Sequence, residues 1–159
     1  MVTTRTWRCA VTAITVLAAM VVTVTDASAA RSAPVEAAIS ASRGADLTPT
    51  NITFDRSAAV AGSSVLLDSG VSNLGETGTG VFNIKWFVDG EEVAYGSHGG
   101  VPGKAQVLDG NTQIDYTFAN PGSYSVTFVV DADNHVAESN EDNNSRTVKV
   151  RVKGSGVSG

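Results

Sequence analysis

The feature that most constrains this chain is a period of two. Phe82, Ile84, Trp86 and Val88 recur at every second position, and so do Ile114, Tyr116 and Phe118. The pattern returns at Tyr124, Val126, Phe128 and Val130, then at Val148, Val150 and Val152. Residues two apart share one face of a strand, so each run offers one apolar face to a core. Downstream of Asp46 no window shows helical periodicity. A chain of this kind must close two sheets on each other.

Seven candidate strands follow from the alternation and its punctuation. The first runs from Leu47 to Asp55, with Leu47, Ile52 and Phe54 apolar. The second, Ser63 to Asn73, turns Val65, Leu67, Ser69 and Val71 one way. The third is Val81 to Val88, and Asp89-Gly90 then marks a tight hairpin into a short fourth strand, Glu92 to Tyr95. The fifth is Thr112 to Phe118. Asn120-Pro121-Gly122 turns the chain into the sixth, which begins near Tyr124, and the seventh carries Val148 to Val152. Seven short strands without helices predict an all-β, antiparallel sandwich of immunoglobulin or fibronectin-III type. Trp86 suits its core, and Tyr124 stands where a tyrosine corner would.

Residues before this region read differently. Arg5 and Arg8, the apolar run Ala10 to Val24 and the Ala27-Ser28-Ala29 site predict a signal peptide over 1–29. Residues 30–45 read as a flexible leader, 46–153 as the sandwich and 154–159 as a flexible tail. The single Cys9 leaves with the signal peptide. That removal changes the formal charge from −5 to −6, since two Arg and one Asp go with it. An acidic, secreted chain is a poor partner for nucleic acid or for insertion into a membrane.

The stretch "DADNHVAESNEDNN", Asp131 to Asn144, holds four Asn and five carboxylates. One reading is a metal loop. Asp131, Asp133, Asn134, Glu138, Asn140, Glu141, Asp142 and Asn143 offer the oxygen ligands calcium takes, though not at EF-hand spacing. The other reading is a polar turn, in which Asn and Asp side chains bond nearby backbone and accept left-handed geometry. Both stay open on the sequence.

Catalysis lacks its parts. His98, in the Gly-rich "YGSHGG", reads as an exposed loop residue, and His135 lies in a separate loop, so no zinc set forms. No Ser sits in a G-x-S-x-G frame. Trp86 points inward and offers no sugar platform. Phe87 and Tyr95 are candidates for an exposed aromatic pair on the outer sheet face, or for packing against Lys85.

With these strands placed, the sequence resembles the CARDB domain, a cell-adhesion-related module of bacterial exported proteins. The carriers are "ADLTPTNITF", "VSNLGETGTG", "FVDGEEV" and "PGSYSVTFVVDADNHVAESNEDNN". The resemblance implies an immunoglobulin-like sandwich without enzymatic activity, which binds or spaces other molecules outside the cell. Two departures stand out: a single copy, and Ser69 at an inward position where the family is apolar. The expected role is a secreted adhesion-type module that engages proteins or the cell-wall surface. The alternative is a structural accessory, or spacer, for a separate exported enzyme.

Overall fold

A computed structural model describes residues 43–156. The expected signal peptide, and the leader as far as residue 42, lie outside the described residues. Within them the chain forms eleven short strands and no helix. The first five are β1 (Leu47–Pro49), β2 (Thr53–Phe54), β3 (Ala59–Val60), β4 (Ser64–Asp68) and β5 (Val71–Asn73). They are followed by β6 (Phe82–Val88), β7 (Glu91–His98), β8 (Gln106–Val107), β9 (Ile114–Thr117), β10 (Gly122–Val130) and β11 (Ser145–Lys153).

One layer is a five-stranded sheet in the order β3-β11-β10-β6-β7. The other is split into β2-β4-β9 and β1-β5-β8. The split turns two of the seven expected strands into four, and the short β3 and β8, which the alternation did not mark, bring the number to eleven. Leu47 to Asp55 and Ser63 to Asn73 both break at one level, where Thr50 N–H donates to Gly70 O (2.9 Å) and Gly70 N–H donates to Thr50 Oγ1 (2.6 Å). Gly70 is required there: a Cβ would lie 2.1 Å from Leu108 and 2.5 Å from the Val107 carbonyl. The short β3 pairs in parallel with β11, so the sandwich is not antiparallel throughout.

The alternation holds where it was strongest. Phe82, Ile84, Trp86 and Val88 are buried, as are Val65, Leu67, Ser69 and Val71. Ser69 carries its hydroxyl inward by donating it to Gly70 O at 3.1 Å. The hairpin at Asp89-Gly90 takes positive φ at both residues, 49° and 87°, and Val88 pairs with Glu91 across it. Tyr124 does form a tyrosine corner, its hydroxyl donating to Asn120 O at 2.9 Å.

Ala45, placed in the leader by the sequence, belongs to the fold. It is 5% exposed and bridges to Glu138. At the centre, Trp86 stacks obliquely on Phe128, centroids 4.5 Å apart, and its Nε1–H donates to Thr112 O at 2.7 Å. Trp86→Phe leaves that buried carbonyl without its donor and opens a void. It is expected to cost about 2–4 kcal/mol in urea denaturation; a change below about 0.5 kcal/mol would refute the assigned core position.

Candidate metal centre

The site is built by the turn that leaves β10. Asp131 ends the strand at φ 43° and is buried. Its carboxylate accepts the N–H groups of His135 (3.0 Å) and Val136 (2.9 Å), and its carbonyl accepts that of Asn134 (2.9 Å), itself at φ 54°. Left-handed Asp and Asn supply the tight turn, and Val136 packs against the core. Ala137, beside it, is exposed.

A second turn follows. Asn140 Oδ1 accepts the Asp142 N–H at 3.2 Å, and Glu141 Oε1 accepts the Glu138 N–H at 3.0 Å. Glu141 is thereby folded back on Glu138. Glu138 is held from the first strand and from its own loop: Leu47 N–H donates to its Oε2, Asn144 Nδ2 donates to its Oε1 at 2.8 Å, and the neighbouring Ser139 N–H donates to Ala45 O at 2.8 Å.

The outcome is that Asp131, Glu138 and Glu141 bring carboxylate oxygens within 4.8 Å of one another. Two oxygens bound to one calcium at about 2.4 Å can be at most about 4.8 Å apart, so the three fit around a single hard cation. Among the described residues none of the three has a Lys or Arg at ion-pair distance. The amide oxygens of Asn143 and Asn144 are buried there without a hydrogen-bond partner. An all-oxygen set suits calcium, magnesium or manganese rather than zinc.

The other predicted ligands go elsewhere. Asp133 points to the outer sheet face, where Asn83 Nδ2 (2.7 Å) and Tyr95 OH (2.9 Å) donate to it and Lys85 pairs with it at 3.4 Å. Those hydrogen bonds, Asn83 first, hold its carboxyl below the usual range. Asn134 and Asn140 serve the two turns, Asp142 is exposed, and Asn143 Nδ2 donates to Asp46 at 2.7 Å. The polar-turn reading and the acidic-cluster reading thus describe different residues of one loop. Asn144 and the Leu47 N–H are site components that sequence reasoning missed.

One further expectation is corrected, and one pair of alternatives is resolved. His98 is not an exposed loop residue: it ends β7, is 2% exposed and stacks on Phe82 at 5.1 Å. Its parity with Ala94 and Gly96 turns it inward. Tyr95 is exposed, with Lys85 Nζ 5.3 Å from its ring centroid, so it packs on Lys85 rather than pairing with Phe87.

Burial pushes the Glu138 carboxyl up to about 7, and Glu141 and Asp131 add to the rise, while the hydrogen bonds from Leu47 and Asn144 oppose it. The unfolded value is 4.5. Between these values the folded chain binds more protons than the unfolded one. Metal-free stability therefore falls as pH rises from 4.5 to about 7, and the loss is complete above that. Relative to Glu138→Gln, which has no such proton, the native chain is expected to lose on the order of 1 kcal/mol across this window, because a half-exposed carboxyl is partly screened. Thermal melts of both in chelator check it; parallel curves would refute it.

The CARDB family model matches residues 44–148. Among solved structures, the chain is similar to the CARDB domain of a Pyrococcus furiosus protein, crystallised in complex with di-metal ions. The identity is 23% over 71% of this chain and 97% of that one, with a TM-score of 0.63. It is also similar to a domain of a Methanosarcina acetivorans protein assigned to the cell surface, at 22% identity over 66% and 90% of the two chains, TM-score 0.52. No curated protein matches the chain. These identities speak for the shared fold alone. The family match spans nearly all of the described sandwich, and the chain belongs to the CARDB family.

Proposed function

We propose that this chain is a non-catalytic binding module of the cell exterior, whose loop end is braced by a divalent cation held by Asp131, Glu138 and Glu141. Calcium is the cation its donors suit best. One observation carries the reading: three carboxylates converge without a counter-charge where the first strand, the β10–β11 loop and Asn144 meet. Convergent carboxylates repel, and a cation reverses the sign of that interaction. The di-metal complex of the Pyrococcus furiosus CARDB domain supports a cation on this fold.

These carboxylates are bonded to backbone N–H groups of their own loop, which suits them to bracing rather than to proton transfer. The sheet edges argue against recruitment of a partner by strand addition. Edge strands β1, β2, β3 and β8 have two or three residues each, and edge strand β9 has four. The long edge β7 opens with Glu91 and Glu92, and its pairing with β6 is bulged at Trp86/Phe87. Partners are met by loops or by a sheet face. The signal-like N-terminus and the cell-surface assignment of the Methanosarcina acetivorans protein support an extracellular setting.

Melting curves with calcium, with magnesium and with chelator test the cation. Calcium at a hundredfold excess over its dissociation constant is expected to add about 2.7 kcal/mol of stability. Glu141→Gln should weaken that gain and Glu138→Gln abolish it. Superimposable melts in all three buffers would retire the cation.

A further inference from the structure

The opposite end of the same hairpin carries the opposite charge. Residues 145–159 contain Arg146, Lys149, Arg151 and Lys153 and no acidic residue, in a chain with 16 acidic against 11 basic residues. Lys149, Arg151 and Lys153 are exposed at alternate positions of β11, while Val148, Val150 and Val152 turn inward. Alternate residues on a strand lie about 6.6–6.8 Å apart on one face, so the three form a straight row. Arg56 joins them across a surface hollow of ≈ 320 Å³ between β11 and the 54–59 segment.

Nothing beside the row neutralises it. Among the described residues no carboxylate lies at ion-pair distance from Lys149, Arg151 or Lys153. Two of the three face hydroxyls on β10, Ser125 opposite Lys149 and Ser123 opposite Arg151, and Lys153 pairs with Val60 of β3. Asp89 lies one strand further on, where it accepts the Ser125 N–H at 2.7 Å, and makes no ion pair with the row. Asp55 lies 3.5 Å from Arg56 and leaves the other three cations free.

We infer that this outward face of β11 is a docking strip for a phosphate-bearing polymer of the cell exterior. Arg and Lys interleaved with hydroxyl donors suit the tetrahedral oxygens of repeated phosphates. Phe54 lines the hollow but packs against the core, so the row itself offers no exposed ring on which a base or sugar could stack. A second copy of this chain, whose Asp131, Glu138 and Glu141 are also without a Lys or Arg partner among the described residues, is the rival outcome, which the test separates by the concentration dependence of the free chain's mass. The strip names a partner class for the binding-module reading and does not require the cation at the other end.

The test titrates fluorescent long-chain inorganic polyphosphate into the full chain at about 50 mM salt, in chelator and again in calcium, with polyglutamate as the carboxylate comparison. Polyphosphate is expected to bind more tightly than polyglutamate, in both buffers. Lys149→Gln with Arg151→Gln, both exposed, should weaken binding at least tenfold and lower the slope of log K against log salt by about 1.4. Arg43→Gln with Lys104→Gln makes the same charge change elsewhere and should shift binding less than twofold. Equal losses in the two pairs, a preference for polyglutamate, or no binding of polyphosphate by the native chain would overturn the strip. Failure of the calcium melt would leave this result intact.

Discussion

The pairing of β10 with its two neighbours is the constraint on which the rest of the structure depends. It is in register with β11 from Gly122↔Val152 to Val129↔Ser145, and with β6 from Val126↔Val88 to Val130↔Ile84. Val126, Phe128 and Val130 are thereby fully buried against Trp86 and its neighbours. A slip of one residue would turn all three to solvent and Ser125, Thr127 and Val129 inward. Because the register cannot slip, the point at which the chain leaves the sheet at Asp131 is fixed as well. So is the face on which Lys149, Arg151 and Lys153 stand.

Asp131 converts that register into a site. A left-handed turn immediately after a buried valine needs a residue that tolerates positive φ and can satisfy the amides it exposes. Aspartate does both, at the cost of a buried negative charge. Glu138 adds to that cost, since its N–H partners Leu47 and Asn144 only partly offset its burial. The loop is therefore polarised by the same hydrogen bonds that shape it. A cation there would act on the fold at three places, because Glu138 also fastens Ala45 and Leu47 of the opposite layer.

Much of this was legible in the sequence, and the parts that were not have physical reasons. A period of two reports burial, so the faces of β6, β10 and β11 could be read directly. The same period runs unbroken through Leu67, Ser69 and Val71, so it could not show that the sheet divides at Gly70; that division comes from a contact with Val107 and Leu108, far along the chain. His98 was misjudged because the two glycines after it read as a turn, although its parity with Ala94 and Gly96 pointed inward. Composition placed the acidic loop correctly. It could not separate Asp133, which faces Tyr95 and Lys85, from Asp131, which faces the core; they stand two residues apart, and the left-handed turn at Asp131 sends them different ways.

The hairpin that results is charged oppositely at its two ends. Along β11, Lys149 stands about 13 Å and Lys153 about 26 Å beyond Ser145, more than one and about three Debye lengths at physiological salt, so the acidic loop screens the basic row only weakly. Stability alone favours the reverse arrangement, with acids set across from Lys149 and Arg151, where opposite charges on paired strands attract. Those cross-strand positions hold Ser125 and Ser123 instead. On the same face Lys85 is paired with Glu92 and Asp133, whereas the β11 row has no such acids and retains an electrostatic field that pairing would cancel. Such a field acts on a partner rather than on the fold.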